Sequence, residues 1–331
     1  MNLVKDIIGP LAAMVMVALV VALTTNNFLD AGNLSNLTLQ VSIVAIVAIG
    51  STVVIFTGGI DLSPGSAIAL LTMVFAEVIR NWGLPIPVAI VVVLLLSLVL
   101  GLITGGLTAY GRIPSFITTL AALSAFRGVA FMFNNGSPVF QLSPDLEGLF
   151  YGRVFGLPLP LLYVVATYAV AFYGLRYTAI GRAIYAVGGN PSAARLSGID
   201  VRGVQLVAFL VAGLAAGLGA VLMSARLNSG SPNYGVGLEL SAIAAAVIGG
   251  ASLSGGRGNI VNTAIGAMTI VIVQNGLNLN AVPTSFQNVI TGTIIVLAVG
   301  IDMWRLEIAH VLSVIFAGRR RGPALVSKKE A

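Results

Sequence analysis

The sequence predicts an all-α integral membrane protein, a polytopic bundle of about ten transmembrane helices with two glycine-rich breaks. Three observations point there. The chain is 57% hydrophobic and only 8% charged, with a mean hydropathy of +1.01, values outside the range of soluble domains. Apolar runs long enough to cross about 30 Å of hydrocarbon recur along its length. The pattern Gly-Gly-x-x-Leu-Ser occurs twice, in "TGGIDLSPG" and "IGGASLSGGRG", each time beside an unusually short apolar run.

In chain order the runs are Ile7–Leu23, Leu37–Thr57, the shorter Ser66–Ile79, Val88–Thr108, Ser115–Phe133, Leu159–Leu175, Val204–Ser224, the shorter Glu239–Ala251, Ile260–Leu277 and Asn288–Trp304. Lys5 ahead of the first run has a signal-peptide look, but no small-x-small cleavage site follows, and the run is read as a helix. An even number of crossings puts both termini on one side. Arg305, Arg319, Arg320, Arg321, Lys328 and Lys329 mark that side as the cytoplasm. The other basic residues check the assignment. Lys5, Arg112, Arg176, Arg182, Arg195, Arg202 and Arg257 fall on predicted inner segments, which with the tail places thirteen of the 17 Lys and Arg inside. Only Arg80, Arg127, Arg153 and Arg226 fall outside or near the outer face. Orientation thus accounts for the net charge of +6, and no nucleic-acid partner is needed. Residues 1–304 read as one polytopic domain with an inner loop at 176–203, and 305–331 as a basic cytoplasmic tail.

Several chemistries are excluded. The chain has no cysteine and one histidine, His310, so no thiolate or histidine metal centre can be built. Its only lysines are Lys5, Lys328 and Lys329, and none follows a glycine, so there is no phosphate-cradling P-loop. No nucleophile and base pair up, and neither a catalytic residue nor a cofactor is expected.

Each glycine pattern falls where an outside-to-inside segment ends. Ser63 followed by Pro64 is a good N-cap and N1 pair for the next helix. Irregular backbone near membrane depth is tolerated only where protein or a water-filled cavity covers it, and interrupted segments point to a transport pathway. Gly58, Gly59, Asp61, Ser63, Gly249 and Gly250 are therefore pathway or gating candidates, although Asp61 and Ser63 would equally suit a tight helix-turn-helix. Passage of a neutral solute needs hydrogen-bonding groups without a strong site; Thr118, Thr119, Ser124, Gln274, Asn275 and Asn278 could supply them or simply satisfy helix backbone. On the inner loop, Asn190 and Pro191 form a second cap and N1 pair, Ser192–Ser197 a short helix and Gly198 its stop. A helix that short is marginal alone in water, so it packs on its own chain or on a partner.

The remaining charged residues have ordinary readings. Asp61, Glu239 and the other acids map to loops or helix ends, so no internal proton relay is visible. Arg127 reads as snorkelling to the outer interface. Gly101 and Gly105, like Gly213 and Gly217, have the spacing of close helix contacts.

The stretches "TGGIDLSPGS", "IPSFITTLAALSAFRGVAF", "TAIGRAIYAVGGNPSAARLSGI" and "LELSAIAAAVIGGASLSGGRG", within a likeness running from Phe28 to Arg305, resemble the permease subunits of bacterial ABC importers for monosaccharides, the ribose-type branch. Family members more often have Val where Pro64 stands, a departure that fits N1 chemistry. The resemblance implies half of a dimeric importer transmembrane domain in the inner membrane, surrounded by lipid and paired with a second copy or a paralogue. It implies a separate cytoplasmic ATP-binding subunit, seated on Asn190, Ala193, Ala194, Arg195 and Gly198, and a periplasmic sugar-binding protein. The alternative is a self-sufficient secondary transporter or channel for a small polar solute.

Overall fold

The computed structural model describes residues 3–300 apart from 295 and 298. His310, the tail 305–331 and the end of the last expected span lie outside the described residues. Twelve helices are bounded: α1 (Leu3–Thr24), α2 (Ala31–Phe56), α3 (Pro64–Arg80), α4 (Ile86–Ala109), α5 (Ser115–Met132), α6 (Asp145–Tyr151), α7 (Leu159–Tyr177), α8 (Ala179–Gly189), α9 (Pro191–Leu196), α10 (Val201–Leu227), α11 (Leu238–Ile248) and α12 (Ile260–Leu279). A further helical stretch starts at residue 284. Among the described residues, strand structure is confined to two small antiparallel pairs, β1 (Val139–Phe140) with β4 (Ser229–Gly230) and β2 (Arg153–Val154) with β3 (Leu157–Pro158).

Among the described residues, seven helices are long and apolar enough to cross a bilayer: α1, α2, α4, α7, α10, α12, and α5 with the turn that follows it. At 17 and 11 residues, α3 and α11 fall short of the roughly 20 that a crossing needs. These are the two runs that read as short in the sequence. Two helices were not expected. α8 lies in the inner loop, where the sequence had indicated only the short helix at Ser192–Ser197, although the buried Gly181, Ile184, Val187 and Gly188 of α8 recur at helical spacing and Thr178 caps it by accepting from the Gly181 N–H. α6 sits in the outer loop, tied down by the Tyr151 hydroxyl, which donates to the Leu222 carbonyl at 2.9 Å.

α2 forms the centre. It is buried without interruption from Ser42 to Phe56, the pattern of a helix enclosed on all sides. α10, α12, α11 and α7 pack round it, and the Tyr168 hydroxyl of α7 donates to the Ala45 carbonyl at 3.0 Å. By contrast α1, α4, α5 and α7 turn much of their apolar surface outward.

Small residues let the backbones approach. A Cβ on Gly50 of α2 would lie 2.6 Å from the Ala212 Cα of α10. The two spaced glycine pairs face one another: a Cβ on Gly101 of α4 would lie 2.6 Å from the Phe209 carbonyl oxygen, and one on Gly213 of α10 would collide with the Ser97 carbonyl. Without a hydrophobic drive inside lipid, such close van der Waals contact holds helices together.

The α4–α10 seam gives a paired expectation. Gly213→Ala overpacks it and should destabilise the bundle by about 1–3 kcal/mol, whereas Gly106→Ala, with nothing within 4 Å of the added methyl, should not. Thermal unfolding of the two variants in mild detergent measures the difference.

Candidate functional site

Both glycine stretches stop a helix in the same manner and then diverge. At the end of α2, Gly58 N–H donates to the Ile55 carbonyl and Gly59 N–H to that of Val54, with Gly58 at φ +80°. At the end of α11, Gly250 N–H donates to the Val247 carbonyl and Ala251 N–H to that of Ala246, with Gly250 at φ +86°. Each is a Schellman stop, with glycine in the left-handed conformation that other residues adopt at a cost of about 1–2 kcal/mol. The left-handed glycine is the first of the pair in one copy and the second in the other, so the two motifs match in function one residue out of step.

After Gly58 the chain runs extended into the bundle. Ile60 is held from both sides by α5: its N–H donates to the Ser115 hydroxyl at 3.0 Å and its carbonyl accepts from Thr119 at 3.3 Å. Asp61, only 4% exposed, accepts through one oxygen from the Ser63 N–H at 2.9 Å and the Ser63 hydroxyl at 2.7 Å. This corrects two expectations. Ser63 precedes Pro64 at the start of α3 as expected, but its hydroxyl is turned to Asp61 and does not cap the helix. Asp61 is not at a solvated end; with Ser63 it borders a small cleft shared with Thr104, Phe126 and Gly213. Phe126 stands roughly 16 Å along α5 from Ser115.

After Gly250 the chain instead folds into a tight loop, closed by the Ser252 N–H donating to the Arg257 carbonyl at 3.1 Å and by further left-handed glycines at 255, 256 and 258. The Gly256 N–H reaches the Phe56 carbonyl, the last of α2, at 3.0 Å. Here the two glycine stretches meet each other and the end of α8. A Cβ on Gly255 would lie 2.8 Å from the Gly58 nitrogen, one on Gly256 would lie 2.6 Å from the Gly189 Cα, and one on Gly188 would collide with the Phe56 carbonyl. Three chain segments thus touch backbone to backbone, with no side chains between them. Gly249 is equally confined, against the α12 backbone at Asn262.

The next residue, Asn190, opens α9. Its side-chain oxygen accepts from the Ser192 and Ala193 N–H groups, both at 3.0 Å, and Gly198 at φ +81° ends the turn. Ala193, Arg195 and Leu196 are exposed, Leu196 at 90%, while Ala194 is buried at 4% against the protein's own core. Leu196 was not singled out from the sequence, although a leucine on a short helix of the inner loop is the apolar group such a surface would offer.

The polar candidates separate into two groups. Ser124 is exposed on α5, and Thr118 is buried with a hydroxyl that has no partner. The others hold helices together: Asn275 exchanges reciprocal amide hydrogen bonds with Asn33 at 2.8 and 3.0 Å, Gln274 donates to the Ser241 hydroxyl, and Asn278 accepts from Gln287. Arg127 does not snorkel. It turns into the protein and donates to the Pro232 and Tyr234 carbonyls at 2.6 and 2.7 Å. Glu239, opposite in charge and close enough to interact with it, is likewise drawn into the bundle over Gly65, one oxygen lacking a hydrogen-bond partner. The Arg127 and Glu239 side chains are therefore turned inward, a feature that helix-end positions in the sequence concealed.

A multi-helix membrane bundle with irregular backbone inside it and a short exposed helix beside that backbone is the architecture of a transport permease. The chain belongs to the family described as the branched-chain amino acid transport system permease component, whose profile matches residues 33–299. It is 42% identical over 298 residues to the ribose import permease RbsC of Escherichia coli K12, covering 88% of this chain and 92% of that protein. Similarity extends to RbsC of Bacillus subtilis 168, 39% identical with 89% and 92% covered. It also includes the D-allose transport system permease AlsC of Escherichia coli K12, 35% identical with 87% and 88% covered. No solved structure matches.

The glycine junction gives adjacent residues opposite expected outcomes. Gly188→Ala forces a methyl into the Phe56 carbonyl and should reduce solute uptake at least about tenfold, the effect of some 1.4 kcal/mol, while Gly189→Ala, whose methyl meets nothing within 4 Å, should leave it intact. Uptake assays normalised to the amount of assembled protein measure both.

Proposed function

We propose that this chain is the membrane-spanning subunit of an ATP-driven importer and forms the path for a neutral monosaccharide. The observation that carries the reading is α9, a six-residue helix that begins one residue beyond the glycine junction and exposes Leu196, Arg195 and Ala193. An exposed leucine on so short a helix suits insertion into a cleft of another protein, here the ATP-binding subunit. The three relatives named for ribose and allose import place the solute among neutral sugars. That favours a sugar over the branched-chain amino acids of the family description.

In this reading the chain crosses the inner membrane about ten times, with α3, α11 and the helical stretch that starts at residue 284 completing the count, and both termini and α9 are cytoplasmic. A periplasmic sugar-binding protein delivers the solute, and a second permease subunit supplies the other half of the pathway. The sharing of Phe56, Gly188 and Gly256 in one backbone junction supports a gating role for both glycine stretches. Displacement of α9 would move the end of α2 and the α11–α12 loop together. Ser124 and Thr118 then remain as pathway candidates, and Asn275 serves the α2–α12 contact.

The internal acids Asp61 and Glu239 favour a second reading, a carrier driven by a proton gradient. Reconstitution separates the two. The chain without ATPase should accumulate no sugar under an imposed proton or sodium gradient, and robust accumulation would overturn the ABC assignment. In the complete complex, Leu196→Asp should weaken ATPase association and transport while leaving membrane insertion unchanged, because a charge forced into a desolvated contact without a partner is costly. Labelling of intact cells with a membrane-impermeant thiol reagent should modify Ser137→Cys and not Ser192→Cys.

A further inference from the structure

Between β4 and α11 the chain is neither helix nor sheet, and it lies deep. A Cβ on Gly230 would collide with the Thr72 carbonyl of α3, and one on Gly235 with the Gly65 carbonyl near the start of the same helix. From Gly230 to Gly235 the segment therefore descends about 10 Å along α3, reaching a level roughly 22 Å from its far end at Arg80. With Arg80 at the outer face in the proposed topology, that level falls within about 30 Å of hydrocarbon, where irregular backbone cannot face lipid and must be covered by protein or line a water-filled cavity.

Its inner side is fully accounted for. The Ser231 carbonyl accepts from Thr72 and from the Tyr234 N–H, the Asn233 N–H donates to the Ser231 hydroxyl, and Arg127 takes the Pro232 and Tyr234 carbonyls. The outer side is bare. Asn233 is exposed and Val236 is 75% exposed. Among the described residues, no donor meets the Asn233 or Val236 carbonyl and nothing binds the Asn233 amide. Leaving such groups without partners inside a membrane costs several kcal/mol each, so water or a hydroxylated solute must satisfy them.

We propose that Ser231–Gly237 is a re-entrant wall of the solute path, on which Asn233 and the free carbonyls of Asn233 and Val236 hydrogen-bond the hydroxyls of a passing monosaccharide. The inference rests on the sugar-importer reading for the identity of the solute, but not for the presence of water. An amide supplies a donor and an acceptor together, and the two carbonyls accept from adjacent hydroxyls, a pattern suited to a neutral polyol. Arg127 is a positioning residue: it spends its donors on the segment and fixes its shape. Ser124, exposed one turn away on α5, extends the same polar surface.

The absence of native cysteine makes the test direct. Asn233→Cys and, as a lipid-facing control, Val165→Cys are placed in the complete importer in proteoliposomes and treated with a small charged methanethiosulfonate. Asn233→Cys should react at least about tenfold faster than Val165→Cys, since a thiol reacts through its hydrated thiolate. Modification should block uptake. Equal rates, or spontaneous disulfide formation between two copies at this position, would overturn the wall. Adding Arg127→Met should change the Asn233→Cys rate about tenfold with ATPase association unaltered; an unchanged rate would remove Arg127 from the positioning role. If the cysteine-free parent imports no monosaccharide while Asn233→Cys still reacts rapidly, the wall stands and only the sugar assignment falls.

Discussion

The structure depends on one constraint: backbone that leaves a helix inside the bundle must find its hydrogen-bond partners in the protein or in a water-lined cavity, never in lipid. The bond from the Gly256 N–H to the Phe56 carbonyl is where that constraint is tightest. It satisfies a helix end that would otherwise be orphaned, and it can form only because Gly188, Gly255 and Gly256 carry nothing to hold the three segments apart. The same accounting operates at Ile60, served on both sides by hydroxyls of α5, and at the Pro232 and Tyr234 carbonyls, served by a guanidinium.

The arrangement also sets what can move together. α9 is separated from the junction by a single residue, so a displacement of α9 has almost no slack in which to dissipate. Asp61 and Ser63 lie a few residues beyond the same junction, in backbone tied to α5. The exposed helix and the irregular backbone in the bundle are thus joined through closely packed, contiguous backbone.

Much of the helix layout was legible because apolar runs are local facts. Leu37–Thr57 differs from α2 mainly in its first turns, where the half-exposed polar stretch from Asn33 to Asn36 continues the helix beyond the apolar run. Asn190, Pro191 and Gly198 bound α9 because caps and stops are also decided by neighbours in sequence. What stayed hidden was decided at a distance. No local pattern says that Asn275 is paired with Asn33, 242 residues away, or that Ala194 faces inward while Leu196 faces out. Ser231–Gly237, with its proline and glycines, reads as an ordinary connection, and only its contacts with α3 reveal its depth. Arg127 was misjudged for the same reason, and Glu239, although it stands in the first turn of α11 as expected, was read without the half-burial of its side chain, since position along a helix does not say what the side chain faces.

The placement of α1 carries a consequence for how the molecule is made. α1 rests on α12: Val21 fills the space left by Gly276, and Thr24 accepts from Asn280 at 3.3 Å, 256 residues later in the chain. At about 5–20 residues per second of synthesis, α1 emerges roughly 12–50 s before its partner exists. It must wait in the bilayer as a solitary helix, which its almost wholly apolar, outward-facing surface allows. α12 contacts both Val21 of α1 and Asn33 of α2, so these long-range contacts can close only once the chain through Asn275 and Gly276 has been made.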